Sequence, residues 1–144
     1  MARRPSLLLA RIGTALEAAA DVWLAPSGLT GRDYAVLAIL SADNPDTQLD
    51  LARMLGKAPG IVVIAVDRLE QAGLVERQRD PADRRRSRVA VTAEGRRALR
   101  KADRIADGGL VQLLPGLEAP ERQFLFDLLA RGFSQETRPD ITRG

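Results

Sequence analysis

A mainly α-helical chain with one small β-hairpin is the fold class that these 144 residues predict. Three observations predict it. Apolar residues recur at intervals of three and four over most of the length. Helix-start patterns stand at Thr30, Thr47 and Thr92. A single stretch, residues 74–91, alternates as two short strands around a polar loop with three adjacent arginines. With 45% apolar and 28% charged residues, the chain is long enough for one domain, residues 1–144, with a modest core.

Each element follows from its own residues. From Leu7 to Leu24 the positions Leu9, Ile12, Leu16, Ala19 and Trp23 form the stripe of an amphipathic helix, which Pro26 and Gly28 end. Thr30-Gly-Arg-Asp33 is a capping box with Asp in the acidic place, opening a second helix whose inner face is Tyr34, Leu37, Ala38 and Leu40 or Ser41. Asn44-Pro-Asp46 is a turn, and Thr47-Gln-Leu-Asp50 repeats the capping pattern before a short helix that Gly56 stops. The run Ile61-Val-Val-Ile-Ala-Val66 favours a strand by propensity. Pro59 at a first helical position, Gly73 as a stop, and Val62, Val66 and Leu69 at i, i+4 and i+7 decide for a helix over residues 59–72. Leu74–Arg79 and Arg88–Val91 pair as the hairpin, with Asp80–Ser87 as its tip. Thr92-Ala-Glu-Gly95 starts a long helix with Leu99, Ala102, Ile105 or Ala106, Leu110 and Leu113 on one side and a place to bend at Gly108-Gly109. After Pro115-Gly116, Pro120 begins a last helix carrying Phe124, Leu125, Leu128, Leu129 and Phe133, and the tail from Ser134 is polar.

Composition removes most chemistry. Without Cys or His there is no disulfide, no thiolate nucleophile and no imidazole, and a serine nucleophile would have only Lys57 or Lys101 as its base. Neither lysine has a catalytic setting, so no enzyme, no cofactor and no metal site are expected. The apolar runs are far shorter than the ~20 residues that span a bilayer. The basic N-terminus lacks a convincing cleavage region, so a cytoplasmic protein without a membrane partner is expected. The net charge is only +3, but between Arg77 and Arg104 eleven Arg or Lys stand against four Asp or Glu, a local +7 on a body of −4. Twenty of the 22 basic residues are Arg, a bias that GC-rich coding also produces. Their concentration in one segment is what a polyanion-binding surface looks like.

Three helices, a tight turn between the second and third, and a basic hairpin form the order of a winged helix-turn-helix. The residues carry a resemblance as well. Leu51-Ala-Arg-Met-Leu-Gly56, Val66-Asp-Arg-Leu-Glu-Gln-Ala-Gly-Leu-Val-Glu-Arg77 and Asp80-Pro-Ala-Asp-Arg-Arg-Arg-Ser-Arg-Val-Ala-Val-Thr-Ala-Glu-Gly95 resemble the core of the multiple-antibiotic-resistance regulator (MarR) family. The wing pattern, Asp-Pro-x-Asp-Arg-Arg leading into a strand and Thr-x-x-Gly, is its most specific part. The resemblance implies a winged helix-turn-helix core over residues 30–99, with dimerisation helices at 7–25 and 100–134. It implies a homodimeric, sequence-specific transcription regulator, usually a repressor, which binds a pseudopalindrome in double-stranded DNA. A small aromatic or phenolic effector often releases such regulators.

Carried over by position, the resemblance assigns Lys57, Ala58, Gly60, Ile61, Val63, Ile64 and Arg68 to the groove-reading turn and helix. Arg84, Arg85, Arg86 and Arg88 match the wing. This chain departs from the family in the helix, where polar side chains commonly face the bases. Helical geometry turns Gly60, Val63, Ile64 and Asp67 outward, and an apolar side chain cannot make the bidentate hydrogen bonds that distinguish G or A. Specificity is therefore expected to lean on the wing and on DNA shape. An alternative reading docks the apolar helix of residues 60–72 on a partner protein. Asp80 and Asp83 read either as an acidic pair for metal or, as in the family pattern, as residues that shape the turn. Leu8, Leu9, Ile12, Phe124, Leu125, Leu128 and Leu129 are the expected dimer interface, and Trp23 and Tyr34 the expected ligand pocket.

Overall fold

The computed structural model describes residues 4–83 and 85–133, so Arg84 and the tail from Ser134 lie outside the described residues. In chain order the elements are α1 (Pro5–Leu24), a 3-10 turn (Ala25–Ser27), α2 (Gly31–Ala42), α3 (Gln48–Leu55), α4 (Pro59–Gln71), β1 (Val75–Arg79), β2 (Ser87–Val91), α5 (Ala93–Leu113) and α6 (Ala119–Gly132). Every element that the sequence predicts is present. The strand-like run of α4 is helical because Pro59 sets its first turn and its C-terminal end gives way to Gly73 in the left-handed region at φ 73°.

The capping patterns do what their chemistry requires. Thr30 Oγ1 accepts from Asp33 N at 3.1 Å while Asp33 Oδ2 accepts from Thr30 N at 3.0 Å, closing a reciprocal box at the start of α2. Thr47 repeats the first half of this at α3, accepting from Asp50 N at 3.1 Å. Gly56 ends α3 at φ 63°, which a side chain would resist.

The chain divides into two compact units, up to Gly109 and from Leu110, and the division falls inside α5. In the first unit α2 is the centre, packed by α1, α3, α4 and β2, with Val36 and Leu37 fully buried. This rotates the expected inner face. Val36 joins Leu37 and Leu40 in the core, Tyr34 and Ala38 are only half-buried against it, and Ser41 is exposed. A helix wrapped on several sides buries more than one stripe. Leu24, Leu29, Leu51, Val62, Val66, Leu69, Leu99 and Ala102 complete most of the core. Strands β1 and β2 pair antiparallel from Val75 opposite Val91 to Arg79 opposite Ser87, which buries Val75 and Val89 and leaves the arginines outside.

α5 runs without interruption through Gly108-Gly109, where the sequence offered a bend. Gly109 is buried because the Trp23 ring lies on it: a Cβ there would stand 2.3 Å from Trp23 Cε3. In the second unit α6 begins with a capping box in which Glu118 N donates to Glu121 Oε2 at 2.7 Å, and among the described residues none of the helix is buried. Phe124 and Phe133 are about two-thirds exposed, at 65% and 66%. α1 is similar, a 20-residue helix in which only Leu24 is buried.

Candidate nucleic-acid interface

The outward face of α4 is the one that helical geometry predicts. Val62, Ala65, Val66 and Leu69 are buried, whereas Gly60, Val63, Ile64 and Asp67 are exposed, and Ile61 is intermediate. Among the described residues no side chain caps its N-terminus, so the positive end of the helix, at Ala58 and Pro59, faces solvent.

The charged side chains near this face are held by partners distant in sequence. Arg68 donates to Asp33, which is buried, and to Thr30 Oγ1 at 3.2 Å, so it ties α4 to the capping box of α2. Lys57 pairs with Glu17 at 3.4 Å and Arg88 with Asp46. Arg77, which in the sequence closes the Val66–Arg77 motif and opens the basic cluster without an assigned role, is a structural bridge. From β1 it reaches Asp67 and Glu70 on α4, and its Nε and Nη2 donate to Gln48 Oε1 of α3 at 3.3 and 3.2 Å. Burial alone would lower its pKa, but the hydrogen bonds to Asp67 and Glu70 outweigh this and raise it. The guanidinium thus fixes the wing to the helix and neutralises Asp67 on the outward face.

At the hairpin tip Asp80 Oδ1 accepts from Ala82 N at 2.9 Å and Asp83 Oδ1 from Arg85 N at 3.0 Å. Each carboxylate closes a local turn with the backbone two residues on, as the turn-shaping reading requires. Among the described residues no group of three or more His, Cys, Asp or Glu is placed to hold a metal ion. Arg86 N donates to Asp83 O and Arg86 O accepts from Asp80 N, both at 3.0 Å, so the loop is braced across its neck. Arg85 and Arg86 are exposed and have no carboxylate partner among the described residues. An open hollow of about 420 Å³ at the base of the wing is lined by Asp46, Gln78, Arg79, Asp80, Pro81, Arg86 and Arg88. Arg79 is a member that sequence reasoning does not single out: the second strand begins at Ser87, one residue before the predicted Arg88, and pairs Ser87 with Arg79. Arg96, Arg100, Lys101 and Arg104 continue the exposed positive surface along α5.

Trp23 and Tyr34 both meet α5. The Tyr34 hydroxyl donates to Asp103 Oδ1 at 2.9 Å. Burial, the Asp103 hydrogen bond and the charges of Asp103 and Asp107 push its pKa up to about 12. Tyr34 is the only tyrosine of the chain, so its titration can be read by itself in tyrosinate absorbance. The expected midpoint is about 12 in the native protein and about 10 in denaturant. In that window the unfolded chain has released a proton that the folded chain keeps, so native stability falls as pH rises between those values. Tyr34→Phe should remove that part of the fall; a native midpoint near 10 would break the Tyr34–Asp103 assignment.

Known proteins share both the sequence pattern and this geometry. Residues 27–86 match the sequence profile of the MarR family. The chain is 32% identical to CouR from Rhodococcus jostii RHA1, solved with p-coumaroyl-CoA, over 89% of this chain and 90% of that one, with a TM-score of 0.70. It is also 32% identical to a MarR-family transcriptional regulator from Rhodococcus sp. RHA1, over 86% and 89% of the two chains, with a TM-score of 0.73. The Mycobacterium tuberculosis MarR-family protein Rv2887, solved in complex with DNA, is 26% identical over 91% and 98%, with a TM-score of 0.72. Among the described residues no helix is long and apolar enough to cross a membrane. Profile, fold and the identity shared over nearly the whole length agree: the chain belongs to the MarR family of winged-helix transcription regulators.

Proposed function

We propose that the protein is a homodimeric repressor that binds a pseudopalindromic operator in duplex DNA and leaves it on binding a small aromatic or phenolic effector. The observation that carries the reading is the pair Arg85 and Arg86, exposed and without carboxylate partners among the described residues, on a hairpin that Arg77 bolts to α4. Cations so placed supply affinity through phosphate contact, and the helix beside them supplies the groove element. A DNA complex of the similar protein Rv2887 supports this. Residues 30–99 are the DNA-binding core of a single functional domain. Residues 7–25 and 100–134 supply the dimer contacts, for which the uncovered Leu8, Leu9, Phe124, Leu128 and Leu129, with half-buried Ile12 and Leu125, are the support. The p-coumaroyl-CoA complex of the similar protein CouR supports an aromatic effector. The residues proposed to contact it, Trp23 and Tyr34, rest on the family resemblance alone. The regulatory family and the lack of Cys and His in the sequence favour binding over catalysis.

The test is light scattering of the purified protein together with selection of bound duplexes at stated salt. A mass of two chains is expected, with enriched half-sites about one helical turn apart, roughly 10 base pairs. A monomer that enriches no sequence would overturn the reading. Exposed Val63 and Ile64 favour the second reading, docking on a protein, which predicts no salt-dependent duplex binding.

A further inference from the structure

We propose that α4, beside the wing and DNA shape, contributes to specificity by reading each half-site through thymine methyl groups, with Val63 and Ile64 as the side chains that do so, so that the centre of the half-site is rich in A·T pairs. The inference rests on the DNA-binding reading above and deepens it. In helix-turn-helix docking the N-terminal part of the recognition helix contacts base edges. Here that part exposes Ala58, Pro59, Gly60, Val63 and Ile64, with Ile64 68% and Val63 39% accessible. None of these side chains donates or accepts a hydrogen bond.

The neighbouring polar groups are engaged elsewhere. Lys57 is held by Glu17, Asp67 by Arg77, and Arg68 by Asp33 and Thr30. Gln71, the last residue of α4, lies seven residues beyond Ile64, about 10 Å along the axis. Guanine is recognised by a bidentate Arg or Lys and adenine by Asn or Gln, whereas thymine alone presents an apolar methyl in the major groove. An aliphatic side chain gains by burying that methyl. Over guanine or cytosine it would instead strip water from a donor or acceptor that it cannot pair. The face therefore selects thymine by attraction and disfavours its competitors by desolvation.

Charge favours nucleic acid over a protein as the occupant. The hairpin fixed to α4 presents Arg79, Arg85 and Arg86 to solvent, so a partner that covers this helix–hairpin surface gains by being a polyanion.

The experiment uses the full-length protein and a duplex obtained by selection. Each thymine is replaced singly by deoxyuridine, which removes only the methyl, and Kd is read by fluorescence anisotropy. We expect about fourfold weaker binding for each methyl that is contacted. We also expect the uridine penalty at one position to vanish in Ile64→Ala, and at another in Val63→Ala, while the salt slope of both variants stays that of the parent protein. Tolerance of uridine at every position, a G·C centre in the selected half-site, or variants that keep full affinity and the full uridine penalty would each overturn the inference while leaving DNA binding intact. Binding of no duplex at any salt would overturn both readings together.

Discussion

Replacing Arg85 and Arg86 together by Ala is expected to weaken duplex binding at least about 60-fold at 0.1 M salt, with an intact fold. The magnitude follows from counterion release. A slope of about −0.9 per phosphate contact corresponds to roughly an eightfold factor per contact at 0.1 M salt. If one of the two arginines meets phosphate in each protomer of a dimer, two contacts disappear, giving about 60-fold and a slope shallower by about 1.8. If both do, four disappear, giving about 4,000-fold and a change of about 3.6. The loss should be similar for every sequence, because phosphate contacts position the protein without reading bases. Stability should move by less than about 0.5 kcal/mol, since both side chains are exposed and lack carboxylate partners among the described residues. A salt titration of the parent protein and the double variant checks this. Retained affinity with an unchanged slope would remove the wing from the interface. The same change at Arg77 would not be a clean test, because it also frees Asp67 and Glu70 and loosens Gln48.

The contrast between Arg77 and its neighbours marks what is legible in the sequence. Local chemistry reads well. The capping pairs Thr30 with Asp33 and Thr47 with Asp50 lie three residues apart, and each forms as its spacing requires. Pro59 and Gly73 override the strand propensity of α4 because a fixed first turn and a left-handed stop act within the segment itself. Charge reads poorly. Eleven basic residues from Arg77 to Arg104 look alike in the chain, but folding gives Arg77, Arg88 and Arg97 carboxylate partners and leaves Arg85 and Arg86 without one among the described residues. Arg68 is the sharpest case. Its match to the recognition helix marks it for the groove, but Asp33 lies 35 residues earlier and only the packing of α2 on α4 brings the two together. Long-range pairing of this kind leaves no trace in spacing or periodicity.

The Thr-x-x-Gly pattern of the wing motif has a structural meaning that leads to the largest stability effect. Thr92 sits where three elements join. Its Oγ1 donates to Gly73 O at 2.7 Å and accepts from Gly95 N at 3.0 Å, and its backbone N–H donates to Leu74 O at 3.0 Å. Gly95 then lies directly against the chain leaving α4. A Cβ at this position would stand 2.0 Å from Leu74 O and 2.7 Å from Val91 Cγ1. Leu74 cannot withdraw easily, because its N–H is bound to Leu69 O at 2.9 Å and its carbonyl to Thr92. Backbone must therefore move against backbone. Gly95→Ala is expected to lose more than about 3 kcal/mol, beyond ordinary overpacking, despite the roughly 1 kcal/mol by which Ala favours a helix. Against a total stability of about 5–15 kcal/mol, that loss leaves a much-weakened or unfolded chain. Two further glycines of the same helix calibrate the argument. At Gly108 an added methyl would meet nothing within 4 Å, so Gly108→Ala should stabilise by up to about 1 kcal/mol. Its neighbour Gly109 meets the Trp23 ring, a side chain that can tilt, so Gly109→Ala should be destabilising but milder than Gly95→Ala and should shift the fluorescence of the only tryptophan. Urea unfolding of the three variants tests the ranking. If Gly95→Ala unfolds at the same midpoint as Gly108→Ala, then the close approach of Leu74 does not hold α5 to the wing, and the Thr-x-x-Gly pattern needs another explanation.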